Sequence, residues 1–256
     1  MTTFRMSGPL EVWADSRMTS FAARREMVVL GILLLEPNRL VTTDRLVAAV
    51  WDRCPPHTAA RQIQTCAWRL RRALAEAGVA KDVIVTQRGG YSIALAPGER
   101  DADVFEAELG HADTALLRDD LPEAVSRLRG ALSVWRGPIL AGVTGSVVRA
   151  HAERWDERRQ YAMEKRFELE LRLGRHHEVV GDLRVSVSDE PLRERLRALL
   201  MIALHRSGRT SEALEVYRSG RRTLIEREGI EPGRTLQAVH HSILVGAPDP
   251  SVPGLV

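Results

Sequence analysis

Apolar positions along the chain change their period twice, and the changes outline two regions. From Phe4 to Val12 the pattern is strand-like and is interrupted at Gly8-Pro9. An apolar-rich segment, Arg24 to Leu35, follows and reads as a helix that stops before Pro37. Thr42 and Thr43 then precede Asp44 to Trp51, where Leu46, Val47 and Val50 line one side and a threonine can cap the first turn. After Pro55-Pro56 a longer helix is expected from about Thr58 to Ala77, ended by Gly78. Its apolar stripe is Ile63, Ala67, Leu70 and Leu74. The opposite side carries Arg61, Gln62, Thr65, Trp68, Arg69 and Arg72. Val83 to Thr86 and Tyr91 to Leu95 flank Arg88-Gly89-Gly90 and read as a β-hairpin.

Beyond a linker-like stretch at Ala96 to Arg100 the period is helical to about Val245. Helices are expected near Val104–Arg118, Pro122–Trp135, Ser146–Leu173, His176–Val187, Pro191–Arg206, Thr210–Glu228 and Gly233–Leu244. Leu173-Gly174-Arg175 recurs as Ser207-Gly208-Arg209, and 34 positions separate the two glycines, the period of tetratricopeptide repeats. Asp120 to Ala124 resembles a third, diverged copy of that turn. Such helix pairs bury their apolar faces only by stacking on neighbours. The competing reading is an ordinary helical bundle with a coincidental spacing. The division expected is 1–97 for the mixed region, 98–246 for the helical array and 247–256 as a flexible tail.

Strand, helix, helix, long helix, hairpin is the order of a winged helix-turn-helix. The expected fold class is therefore an α+β winged helix-turn-helix domain followed by an all-α tetratricopeptide-like domain. An α-helix is about 10–12 Å across and fits the major groove of B-DNA, about 12 Å wide. Arg61, Gln62, Gln64, Thr65 and Arg69 carry donors and acceptors suited to base edges, and Arg71 and Arg72 can reach phosphates. Arg88 stands at the hairpin tip, where Gly89 and Gly90 allow a tight turn and close approach to DNA.

Charge sharpens this picture. The net charge of +3 hides an uneven division: residues 1–100 carry 14 Arg and Lys against 9 Asp and Glu, and residues 101–256 carry 23 against 25. Positive charge concentrated on one region is the footprint of a polyanionic partner. Arginine accounts for all but two of the basic residues, Lys81 and Lys165, so position rather than number carries the inference. The bland reading of the long helix is a solvated charged face over a core stripe; the hairpin and the charge asymmetry argue against it.

Composition excludes other classes. At 44% hydrophobic and 28% charged residues the chain is globular rather than disordered. The longest apolar run, Met27 to Leu35, is about half of the roughly 18–20 residues needed to span a bilayer. No secretory signal is visible, and two cysteines, Cys54 and Cys66, are too few for a disulfide framework. A cytoplasmic protein with reduced thiols and no membrane partner is expected. Gly142 to Ser146 is glycine-rich but lacks the lysine of a phosphate-binding loop. The scattered histidines and Cys54, His57 and Cys66 lack metal spacing. No catalytic constellation, metal site or cofactor is expected, and the chain is not read as an enzyme.

Several fragments stand in a specific order and spacing: Gly8-Pro9-Leu10-Glu11-Val12, Val50-Trp51 before Pro55-Pro56, Arg69 to Leu74 and Gly89-Gly90-Tyr91. Trp135-Arg136-Gly137-Pro138, Pro191 to Glu194 and Gly229 to Gly233 continue the series. Together, over about residues 4–245, they resemble the Streptomyces antibiotic regulatory protein (SARP) family of transcriptional activators. The family joins an OmpR-type winged helix-turn-helix to a bacterial transcriptional activation domain. The resemblance implies a DNA-binding activator that binds promoter direct repeats as a homodimer and recruits RNA polymerase holoenzyme. It further implies control of a secondary-metabolite (antibiotic) gene cluster. By position it assigns Arg61, Gln62, Gln64, Thr65 and Arg69 to the recognition helix and Arg88 to the wing. Arg25 falls where the family has a basic residue at the start of the first helix, suited to a phosphate. The run Arg25-Glu26-Met27 departs from the family's basic and glutamine-rich pattern, and Trp68 replaces a small or polar residue. The alternative is a helical-repeat interaction scaffold with weak, non-specific DNA binding.

Overall fold

The computed structural model describes residues 2–15, 17–21 and 23–246. The expected tail, 247–256, lies outside them. The chain divides into two compact units. One comprises residues up to Asp113 together with Arg127–Ala162; the other comprises Thr114–Ser126 and residues from Met163 onward.

In the first unit β1 (Thr2–Arg5), β2 (Glu11–Ala14) and β3 (Arg17–Ser20) form an antiparallel sheet in that order, with Phe4 opposite Val12 and Trp13 opposite Met18. The hydrophobic pattern did not foretell β3. It is four residues long, and Asp15, at φ 44°, turns the chain into it. Helix α1 (Arg24–Leu35) is buried from Val28 through Leu34, as expected of a helix apolar on every side. After β4 (Val41–Thr42), the Thr42 hydroxyl caps α2 (Thr43–Trp51) by accepting the Arg45 amide at 3.3 Å. Helix α3 (Ala59–Glu76) crosses α1, and β5 (Ile84–Gln87) and β6 (Gly90–Ile93) form the hairpin. The second sheet runs β4-β6-β5.

The stretch that composition marks as a linker is a packed seam. Arg100 is 8% exposed, and its guanidinium donates to the Leu34 carbonyl at 2.6 Å and pairs with Asp103. Asp101 opens α4 (Asp101–Leu117) with a buried carboxylate that accepts the amides of Met6 (2.9 Å) and Ser7 (3.0 Å) and the Ser7 hydroxyl. Downstream of α5 (Leu121–Ser133), the amides of Arg136, Leu140 and Ala141 donate to Ser7, Met6 and Gly8 at 2.7–2.9 Å. Ile139, Leu140 and Val148 enter the same core as Phe4, Leu30 and Leu70. Pro97 and Gly98 signal a break by residue type, yet the neighbouring Arg100 and Asp101 are drawn inside because backbone donors and acceptors await them. Val148 lies in α6 (Ser146–Arg172).

In the second unit α7 (His176–Asp189), α9 (Thr210–Glu228) and α10 (Arg234–Leu244) pack around α8 (Glu194–Arg206), whose residues from Leu196 to Leu204 are all buried. That stretch includes Arg197, which donates to the Pro191 carbonyl at 2.9 and 3.2 Å. Gly220 of α9 makes the room: a Cβ there would lie 2.7 Å from Arg197 Cδ. The two glycines 34 positions apart have the same left-handed conformation, φ 76° at Gly174 and 75° at Gly208. The amides that follow them, Arg175 and Arg209, close back on Glu170 and Leu204 at 3.0 and 2.9 Å. The third turn repeats this with Asp119 in place of glycine, at φ 55°, and the Asp120 amide on Ala115 at 3.0 Å. The array is tetratricopeptide-like. Among the described residues no helix is long and apolar enough to cross a membrane.

Replacing Asp101 by alanine leaves two buried amides without an acceptor, which costs about 1–3 kcal/mol each. At about 2–4 °C per kcal/mol for a domain of this size, Asp101→Ala should lower the melting temperature by several degrees. A melting curve that superimposes on the wild type would show that the seam is not what joins these segments.

Candidate nucleic-acid interface

Helix α3 carries a buried stripe on one side and an exposed set of side chains on the other. Ile63, Cys66, Ala67, Leu70 and Leu74 are buried, whereas Arg61, Gln64, Thr65, Trp68, Arg69 and Arg72 are exposed. Spacings of three and four place this second set on one side of the helix. Trp68, at 58% exposure, is a large apolar surface left in solvent. The buried Cys66 thiol is pushed above its ordinary pKa, first by burial and then by the Glu26 carboxylate. Cys54 is exposed, and both cysteines are free.

The exposed side chains differ in how they are held. Arg61 and Gln64 make no side-chain hydrogen bond among the described residues. The Thr65 hydroxyl donates back to the Arg61 carbonyl at 3.1 Å. Arg69 stands 3.6 Å from the Glu26 carboxylate, a loose pair at an exposed guanidinium. Arg72 donates to Glu76 at 2.8 Å and lies 6.0 Å from the Trp68 ring centroid. Gln62 is half-buried and held at both ends: its amide nitrogen donates to the Thr58 hydroxyl at 2.9 Å, and its oxygen accepts from Arg25. The Arg25 guanidinium also lies 5.2 Å from the Trp51 ring centroid. Arg71, read from sequence as a phosphate contact, faces the hairpin. It donates to the Ile84 carbonyl at 2.8 Å and the Thr86 hydroxyl at 2.7 Å, and it lies 6.0 Å from the Tyr91 ring centroid.

Arg25, Gln62, Thr65 and Arg69 share a groove of about 590 Å³ with Arg24, Glu26, Val50 and Trp51. Arg24, Glu26 and Trp51 were not among the binding residues expected from sequence, although Glu26 was noted as a departure from the family pattern and Trp51 as part of a family fragment. The only cue was proximity to Arg25 and to the end of α2.

The hairpin is seated rather than free. Gln87 pairs with Gly90 across the two-residue turn Arg88-Gly89, and Gly89 has φ 88°. The Gly89 carbonyl accepts the Thr43 amide at 2.9 Å, and Gly90 pairs with Thr42. A Cβ on Gly90 would lie 2.1 Å from the Val41 carbonyl oxygen, so only glycine fits. Arg88 is exposed with no side-chain partner among the described residues. The cationic side chains of α3, the hairpin tip and the start of α1 thus belong to one compact unit, with Glu26 and Glu76 as acids directly among them. Among the described residues no three histidine, cysteine, aspartate or glutamate side chains come together as a metal site.

This is the architecture of a winged-helix transcriptional regulator joined to a helical activator domain. Residues 21–93 match the family described as transcriptional regulatory protein, C terminal, and residues 100–244 match the bacterial transcriptional activator domain. The chain belongs to the Streptomyces antibiotic regulatory protein family of transcriptional regulators. The regulatory protein DnrI of Streptomyces peucetius is 36% identical over 250 residues, which is 95% of this chain and 92% of that protein. AfsR of Streptomyces coelicolor is 37% identical over 246 residues, but the match spans 96% of this chain and only 24% of AfsR. A solved structure of Mycobacterium tuberculosis EmbR, in complex with a low-affinity phosphopeptide, superimposes with a TM-score of 0.88 at 30% identity. It covers 98% of this chain and 66% of that one. The families matched are those of transcriptional regulators, not of enzymes.

The seating of the hairpin has a direct check. Gly90→Ala should cost about 1–3 kcal/mol of overpacking and speed hydrogen exchange at the Thr43 amide. Unchanged melting with unchanged Thr43 protection would mean the hairpin is not anchored to α2.

Proposed function

We propose that the chain is a sequence-specific DNA-binding transcription activator whose α3 reads the major groove of promoter DNA. One observation carries the reading. The exposed side of α3 presents Arg61, Gln64, Thr65, Trp68 and Arg69 opposite a fully buried stripe, with Arg61 and Gln64 unengaged. Arg61 and Arg69 match the guanine edge, Gln64 the adenine edge, and Thr65 either. Trp68 packs on sugar and backbone. Gln62, held by Thr58 and Arg25, positions the Arg25 guanidinium for a phosphate. Arg72 reaches a phosphate by exchanging Glu76 for it. Arg88, with Gly89 and Gly90 beneath it, enters the adjacent minor groove or touches its backbone. Arg71 fixes the angle between α3 and the hairpin and so sets the distance between major-groove and minor-groove contacts.

The partners proposed are double-stranded promoter DNA with direct repeats, a second copy of the chain on that DNA, and RNA polymerase holoenzyme. Two copies sit on half-sites about 10–11 base pairs apart, one helical turn. The site of action is the cytoplasmic nucleoid, and the genes controlled are those of a secondary-metabolite cluster. No metal or cofactor takes part. Kinship with DnrI and AfsR, both named regulatory proteins, supports this assignment.

Purified chain mixed with sheared high-GC bacterial DNA at near-physiological salt should enrich direct repeats spaced by one turn. On the enriched repeat, Arg69→Ala should weaken binding by about 1–3 kcal/mol and relax preference at one base pair. Retention of DNA without a shared sequence would instead favour the helical array as the working part, with DNA held only by general charge.

A further inference from the structure

The basic surface does not end with the elements of the winged helix. Asp52, which ends α2, turns the chain at φ 51° and presents its carboxylate to the start of α6. It accepts the Ser146 amide at 3.1 Å and the Ser146 hydroxyl at 2.6 Å. Arg24, the first residue of α1, donates from Nε to the Thr144 hydroxyl at 2.9 Å. The segment Thr144–Ser146 lies within the stretch matched by the activator domain, yet it belongs to the same compact unit as α1, α2 and α3.

Two arginines flank this junction. The Asp52 carboxylate is held below its ordinary pKa chiefly by the two Ser146 hydrogen bonds, and further by the charges of Arg24 and Arg149. Arg149, in the first turn of α6, is exposed and makes no side-chain hydrogen bond among the described residues. Arg24 borders the groove that Arg25, Thr65 and Arg69 share. Arg25, Arg24 and Arg149 thus extend the cationic side chains of α3 toward the start of α6, with Glu26 and Asp52 among them. Asp52 lies in the outer half of this extension as an exposed anion, its carboxylate held toward the start of α6 by Ser146.

We propose that the first turn of α6 is part of the DNA-binding surface, with Arg24 and Arg149 holding the sugar–phosphate backbone beside the segment read by α3. The proposal rests on the reading of α3 as the DNA-reading helix. The chemistry is guanidinium on phosphate, which carries no base preference. The activator half of the chain thereby supplies a contact to DNA itself as well as any to proteins. Against it stands the plain alternative that Arg149 is only a solvated residue on the outside of α6.

The two differ in salt dependence. Each phosphate contact contributes about 0.9 to the slope of log affinity against log salt on duplex DNA. The test uses the full-length chain and a random-sequence high-GC duplex, with fluorescence anisotropy read over a series of salt concentrations. Arg149→Ala should flatten the slope by about 0.9, and Arg149→Ala with Arg24→Ala by about twice that. Arg149→Lys should restore the wild-type slope, and Arg222→Ala, on the exposed surface of α9, should leave it unchanged. Thermal melting of each variant separates loss of contact from loss of fold. A stably folded Arg149→Ala with the wild-type slope overturns the proposal and leaves the reading of α3 standing. A wild-type chain with no salt-dependent affinity for duplex DNA overturns both.

Discussion

The carboxylate of Asp101 is the constraint on which the first unit depends. It sits at the first residue of α4, where the helix dipole favours negative charge, and it collects two amides and a hydroxyl from the start of the chain. A buried carboxylate is tolerated only when its oxygens are fully engaged. These donors therefore have to arrive together, and their arrival places β1 against the seam. Once β1 is placed, Met6, Ser7 and Gly8 offer carbonyls that bind residues 136–141, and Leu140 comes to lie over Gly31 of α1. The helix at the centre of the winged-helix fold is thus covered partly by residues far beyond the hairpin. A helix apolar all round needs cover on every side, and β1, β2 and β3 cannot supply all of it.

That cover bears on α3. Its position is set by Ile63, Cys66, Ala67, Leu70 and Leu74 against this core, and its angle to the hairpin by Arg71. Gly90 then lets the hairpin root touch Val41, and the Gly89 carbonyl ties it to the start of α2. The result is a surface whose backbone is fixed before any ligand arrives, while Arg61, Gln64 and Arg88 keep side-chain freedom. Such preorganisation lowers the ordering cost of binding. The proposed role of Arg25 follows the same logic, because Gln62 and Trp51 hold its guanidinium near the start of α1.

Much of this was legible in the sequence, and the limits are physical. Helices α1 to α10 fall within a few residues of their expected bounds, most of them marked by an apolar period and by a cap, glycine or proline near one end. The buried stripe of α3 and the third repeat turn, expected at Asp120 to Ala124 and found with Asp119 as its left-handed residue, were likewise readable. Strand β3 was not, because four polar-rich residues show no period. The seam at Arg100 and Asp101 was hidden for a different reason. Pro97 and Gly98 describe local backbone preference, whereas burial of Arg100 and Asp101 depends on partners more than 60 positions away. Arg71 shows a third limit: its residue type fits a phosphate, but only the fold reveals that its place at the inner edge of the α3 face puts it against Ile84 and Thr86.

On α3 the residues that form the fold and those proposed to read DNA are disjoint sets. Replacing Arg61, Gln64, Thr65, Trp68 or Arg69 removes no part of the stripe that packs on α1, so their substitution leaves the helix in place. Identity of 36–37% with DnrI and AfsR can therefore preserve the architecture without preserving the base sequence recognised. Family membership fixes the class of protein, and on the proposed reading the target follows from five or so side chains that the fold leaves free to differ. Contacts to phosphate, by contrast, depend on where the backbone runs and not on which bases it carries. Arg25 and the proposed pair Arg24 and Arg149 thus belong with the architecture. Their positions follow from the ties of Arg24 to Thr144 and of Asp52 to Ser146.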